Sequence, residues 1–94
     1  MEGHQSISVR LKRTRKAFGL PQAKWCRLVG ITPSAWNNYE MGTNRISLDQ
    51  ALKICGATGI SLDWIYRGLR AGLPYELACK LVAAEASASR AWNG

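Results

Sequence analysis

The stretch that decides the fold is PQAKWCRLVGITPSAWNNYEMG, running from Pro21 to Gly42. Two short segments with apolar periodicity lie either side of Gly30-Ile31-Thr32. Pro21 can open the first, because a proline in the first helical turn removes an N–H that has no intrahelical partner anyway. Trp25, Cys26 and Val29 then form its inward face, and Gly30 ends it. Thr32 is a good N-cap, Pro33 takes the first position of the next helix, and Gly42 closes that helix. Two helices joined by so short a glycine-containing turn form a helix-turn-helix unit. Cys26 is small and lies one turn before Gly30, where the second helix must approach closely.

With Trp36 turned inward and a step of about 100° per residue, Tyr39 and Glu40 fall on or beside the buried side. Ser34, Asn38 and Met41 point outward, with Ala35 and Asn37 on the flanks. This outward set is short, uncharged and includes two carboxamides. Such a face suits a helix pressed into a groove of DNA. Asn can pair bidentately with an adenine edge, Ser can bond several bases, and Ala can meet a thymine methyl. A plain surface helix satisfies the same periodicity, although its outer face would more usually carry Lys and Glu.

Upstream, Ile7, Leu11, Thr14 and Phe18 recur at i, i+4, i+7 and i+11 and place one apolar stripe on a helix whose other faces are basic. Gly19 stops it. Downstream, Ser47-Leu48-Asp49-Gln50 is a capping box that starts a fourth helix, with Leu48, Ala51, Leu52 and Cys55 inward. Gly56 and Gly59 bracket its exit. Ser61 caps a fifth helix with Leu62, Ile65 and Tyr66 inward, and Gly68 stops that one. Pro74 opens a last helical segment through Leu77, Leu81 and an Ala-rich run, with Arg90–Gly94 expected to fray. Trp25, Trp36, Trp64 and Tyr66 fall at inward positions, so they read as core rather than as a stacking platform for bases. Trp92 lies outside the periodic region. The expectation is an all-α domain: a flexible tail over 1–6, a five-helix unit over 7–68, and a C-terminal helical extension over 69–94.

Ninety-four residues make one small domain, and 47% apolar with 20% charged residues is a globular composition. Thirteen Lys and Arg against six Asp and Glu give a net charge of +7. Eight of the basic residues and two of the acids lie in residues 1–45, with the helix-turn-helix and the helix before it. A basic excess of this kind points to a phosphate polymer or an anionic surface.

Several classes drop out. No stretch approaches the ~20 apolar residues of a membrane span. Met1–Ser6 lacks the layout of a signal peptide, and a cytoplasmic setting is expected. Cys26, Cys55 and Cys79 are odd in number and widely spaced, which suits neither a disulfide framework nor a metal site; they read as small buried hydrophobes. No cofactor is expected. Neither a nucleophile–base pair, nor paired carboxylates, nor a phosphate-cradling glycine loop is present, so the chain does not read as an enzyme.

Further text now carries a resemblance. Leu11 to Gln22, Leu28 to Thr32, Trp36 to Gly42, Leu52 to Cys55 and Gly59 to Gly68 stand in order and at family spacing. Over residues 7–68 the chain resembles the lambda-repressor-like, Cro/C1-type (XRE) helix-turn-helix family. The resemblance implies that Gln22 grips a backbone phosphate beside a helix N-terminus, that Ser34, Ala35, Asn37 and Asn38 read bases, and that Thr43, Asn44 and Arg45 touch the sugar-phosphate backbone. Beside these, Arg10, Arg13 and Lys24 are candidates to contact phosphate or to steer the approach. Arg15 and Glu40 match a family ion pair that ties helix one to helix three. Pro21, Cys26, Trp36 and Ile46 depart from the usual residues.

The implied function is a dimeric regulator of transcription that binds double-stranded DNA at an inverted repeat, a repressor of phage, mobile-element or autoregulatory type. The alternative is an antitoxin-like module whose main partner is a protein, such as a toxin or co-regulator. Leu73, Leu77, Leu81 and Val82 of the extension can serve either packing on the domain or pairing of subunits.

Overall fold

Apolar stripes at helical spacing must find partners, and here they close around one another in an all-helical fold. The computed structural model describes the backbone of residues 4–93 and the side chains of residues 6–85. Among these, the order is α1 (His4–Ala17), α2 (Gln22–Val29), α3 (Pro33–Glu40), α4 (Leu48–Thr58), α5 (Leu62–Arg67) and α6 (Tyr75–Asn93), with no strand. α1 is the central element and packs against α3, α5 and α6; α2 packs on α3 and α4, and α4 on α5.

Capping side chains set the boundaries. Thr32, Ser47 and Ser61 accept hydrogen bonds from the amides of Ala35, Gln50 and Trp64 and so start α3, α4 and α5. α1 begins at His4, so part of the expected 1–6 tail is helical, and Met1–Gly3 lie outside the described residues. α6 continues to Asn93, across most of the end expected to fray, while the side chains there, Trp92 included, lie outside the described residues.

The core is built from bulky side chains. Ile7, Leu11, Trp25, Trp36, Ile54 and Ile65 are at most 1% exposed. Rings run through it in series: Phe18 to Trp25 at 5.6 Å, Trp25 to Trp36 at 5.5 Å, and Trp36 to Tyr39 edge-on at 6.4 Å. Such tilted contacts add about 0.5–1.5 kcal/mol each beyond area burial. Trp64 ties α5 to α1, its indole N–H donating to Thr14 Oγ1 at 2.9 Å while that hydroxyl donates to the Arg10 carbonyl at 2.7 Å.

The fourth helix corrects the sequence reading. Ala51 and Ile54 face inward, Cys55 is half-buried, and Leu48 and Leu52 are exposed. Inward sets beginning at Leu48 or at Ala51 are equally periodic. Ala51 and Cys55 belong to both sets; the one that packs takes Ile54 inward and leaves Leu48 and Leu52 in solvent. Only Cys26 of the three cysteines is fully buried; Cys55 is half-buried and Cys79 exposed.

α6 belongs to the same core. Leu77 and Leu81 are buried, and Leu73 packs at the edge, while Val82 faces solvent. Glu85 then accepts hydrogen bonds from Arg13 at 3.1 Å and Arg70 at 2.7 Å, latching α6 to α1 and to the turn before it.

Candidate nucleic-acid interface

The turn between α2 and α3 needs a residue that reverses the chain without a side-chain clash. Gly30 supplies it, with φ 76° and ψ 32°, the left-handed region that glycine enters without penalty. Its amide and that of Ile31 both donate to the Cys26 carbonyl, at 2.9 and 3.2 Å. Ile31 drops into the core and Thr32 caps α3. From α4, Lys53 Nζ donates to the Gly30 carbonyl at 3.3 Å and braces the turn from outside.

Glu40 locks the other end of α3. Its carboxylate, 4% exposed, accepts from Arg15 Nε at 2.6 Å and Nη2 at 3.1 Å, from Gln22 Nε2 at 3.3 Å, and from the Trp36 indole N–H. One side chain thus joins α1, α2 and α3. Burial pushes the Glu40 carboxyl up, but the hydrogen bonds from Arg15 and Trp36, the Arg15 charge and the Gln22 amide outweigh it. The group is held below the usual carboxylate range. Arg15 also donates to the Leu20 carbonyl at 2.8 Å. Burial, and then the Glu40 charge, push the nearby Cys26 thiol up, so it stays a protonated hydrophobe.

This hub brings the start of α2 beside the end of α3. Pro21 precedes α2 with extended backbone and offers no side-chain cap. The amides of the first turn are therefore open to an anion, with exposed Lys24 beside them. Gln22 directs one amide N–H to Glu40; the second N–H of a carboxamide can serve a phosphate.

On α3, Ser34 and Asn37 are exposed, Asn38 is half-exposed, and Ala35 is half-buried against the core. Met41 follows, 71% exposed, and the Asn37 amide lies 3.5 Å from its sulfur. The Asn38 carbonyl accepts from the amides of Thr43 at 3.0 Å and Asn44 at 3.3 Å. The loop carrying Thr43, Asn44 and Arg45, all exposed, is thereby folded back against the end of α3.

Two candidate phosphate contacts, Arg10 and Arg13, have partners within the protein. Arg10 is 7% exposed, and its Nε donates to the Ile65 carbonyl at 3.0 Å. Its guanidinium lies against Gly68, where an added Cβ would meet Nη1 at 3.2 Å; it holds α5 to α1. Arg13 pairs with Glu85 on α6. Arg10 had a visible signal, since it stands three residues after Ile7 and four before Thr14, within the buried stripe. Arg13 had none, because its partner lies 72 residues away. The sequence reading also missed Lys53, and Tyr66 as a hydrogen-bond donor: Tyr66 Oη donates to the Ile46 carbonyl at 2.9 Å.

Among the described residues no group of three His, Cys, Asp or Glu could hold a metal ion, and no helix is long and apolar enough to cross a membrane.

Comparison with known proteins places this arrangement. The chain is 31% identical, over 66% of its length, to an SPbeta prophage-derived HTH-type transcriptional regulator of Bacillus subtilis (strain 168). It is 29% identical, over 72% of its length, to a transcriptional regulator in the ATPase CF(0) region of Rhodospirillum rubrum. The matched stretches span 57% and 63% of those two relatives' own lengths. No solved structure gives a significant match. A family model described as helix-turn-helix matches residues 11–65, more than half of the chain and all of α2 to α4. The chain belongs to the XRE-type, lambda-repressor-like helix-turn-helix family, with α6 as an additional C-terminal helix.

Proposed function

We propose that the chain is a sequence-specific regulator of transcription that binds double-stranded DNA, acting as a repressor of phage, mobile-element or autoregulatory type. α3 lies in the major groove, where Ser34, Ala35, Asn37 and Asn38 meet base edges. Gln22, Lys24 and the open amides of α2 take one phosphate position, and Thr43, Asn44 and Arg45 take another. Two copies bind half-sites of an inverted repeat about 34–36 Å apart. The protein works in the cytoplasm, without a cofactor and without catalysis.

One observation carries this reading. An uncharged, amide-bearing helix face stands between two anion-ready features, the start of α2 held to α3 through Glu40 and the loop after α3 held through the Asn38 carbonyl. The printed names of both relatives, each a transcriptional regulator, support the same reading.

A second reading, an antitoxin-like module whose main partner is a protein, is favoured by the exposed apolar residues of α4 (Leu48, Leu52) and α6 (Tyr75, Val82). Because Leu77 and Leu81 are occupied in the core, among the described residues the outer face of α6 is what the extension offers for pairing of subunits.

Selection of bound duplexes from random DNA with the purified protein separates the two. A regulator recovers a short sequence with two-fold symmetry; recovery of no preferred sequence favours the protein-binding module. In the selected site, Asn38→Ala costs about 1–3 kcal/mol at one position of each half-site and relaxes preference there. A uniform loss over all sequences would remove Asn38 from base reading.

A further inference from the structure

The loop after α3 leaves the helix at Met41 and re-enters regular structure at Ser47. Its near end is tied to α3, where the Asn38 carbonyl takes the Thr43 and Asn44 amides. Its far end is tied by something else. Ile46 is 3% exposed, so its carbonyl lies in an apolar setting where an unpaired acceptor is costly. The one side chain that answers it among the described residues is Tyr66 of α5, whose hydroxyl donates at 2.9 Å across twenty residues of sequence.

We propose that Tyr66 is a positioning residue for DNA binding: its hydroxyl fixes the far end of the loop and so sets where Arg45 meets the phosphate. The inference rests on the reading of Thr43–Arg45 as a phosphate contact. Arg45 is next to the carbonyl that Tyr66 holds, so any shift of that peptide moves the Arg45 backbone with it. Burial pushes the Tyr66 hydroxyl up, and the Arg45 charge is the opposing influence. Tyr66 itself touches no DNA in this arrangement, since it packs at the edge of the core. Neither its ring alone nor its place in α5 accounts for a tyrosine, because phenylalanine would fill the same space. The hydroxyl is what the loop uses.

Tyr66→Phe tests this, with the ring kept and the bond removed. In the free protein, amide hydrogen exchange at Thr43 and Asn44 speeds up while exchange in α1 stays as in the parent. On DNA, affinity falls about fivefold, the size expected from a lost hydrogen bond to a buried acceptor. The loss is the same on the selected duplex and on a scrambled one. The slope of log affinity against log salt flattens by up to one unit, as for a lost phosphate contact. In an Arg45→Ala background, Tyr66→Phe costs no further affinity. Unchanged exchange at Thr43 and Asn44 overturns the proposal, and so does a loss that adds in full to that of Arg45→Ala. If the parent protein binds neither duplex, the DNA-binding reading fails on that result alone, and exchange at the loop still decides whether Tyr66 holds it.

Discussion

Glu40 shows how much one side chain can settle. Its two oxygens accept from Arg15, Gln22 and Trp36, so three helices meet at a carboxylate that is 4% exposed. Removing its charge leaves Arg15, itself 12% exposed, without a counterion, and breaking such a buried pair costs about 3–5 kcal/mol. The pH dependence follows from the depressed carboxyl. Its stabilising contribution is fully present above the unfolded value of 4.5 and is lost as pH falls through the lower folded value. Urea unfolding of the parent and of Glu40→Gln therefore gives a wide stability gap at pH 7 that narrows below pH 4.5. A gap that stays constant with pH would place the stabilisation in packing, not in the carboxylate. The Arg15–Glu40 contact was anticipated from the family pattern, whereas the Trp36 and Gln22 contacts were not, because helical periodicity gives a residue's face but not the atom its polar tip reaches.

At the scale of elements, the order of helices and most of their ends were readable because caps and glycines act locally. Thr32, Ser47 and Ser61 cap the helices expected of them, and Gly30, Gly59 and Gly68 end theirs in the left-handed region. The face of α4 was not readable, since two sets of positions offset by three residues are equally periodic and only packing chooses between them. The candidate site divides in the same way. The outward positions of α3 follow from its period and those beside it from the family resemblance, while the fates of Arg10 and Arg13 depend on contacts 55 and 72 residues away. Gly30 allows a clean test of the local logic. A Cβ there meets nothing within 4 Å, so Gly30→Ala suffers the cost of the left-handed backbone alone, about 1–2 kcal/mol. Thermal unfolding should show that loss with DNA affinity at the parent's level below the transition. A large drop in affinity of the folded variant would mean that the substitution has turned α3 relative to α2.

At the scale of the whole molecule, a net charge of +7 overstates what meets DNA. Arg10 and Arg15 are directed inward, Arg13 and Arg70 share Glu85, Arg67 lies 3.6 Å from Asp63, and Lys53 braces the Gly30 carbonyl. Lys24 and Arg45 are exposed, and on the proposed reading these two meet phosphate. Counterion release scales with phosphates neutralised rather than with net charge. Two contacts per domain therefore give a slope of log affinity against log salt of about −2, or about −4 for a dimer. Neutralisation by the full excess would give about −6 per domain. Titration of a duplex at several salt concentrations distinguishes these values. The expected low slope leaves the uncharged face of α3 as the main source of selectivity, and Lys24→Ala or Arg45→Ala should each flatten it by about one unit. A slope nearer −6 per domain would instead bring further exposed cations, among them Lys12, Lys16 and Arg27, into contact with phosphate.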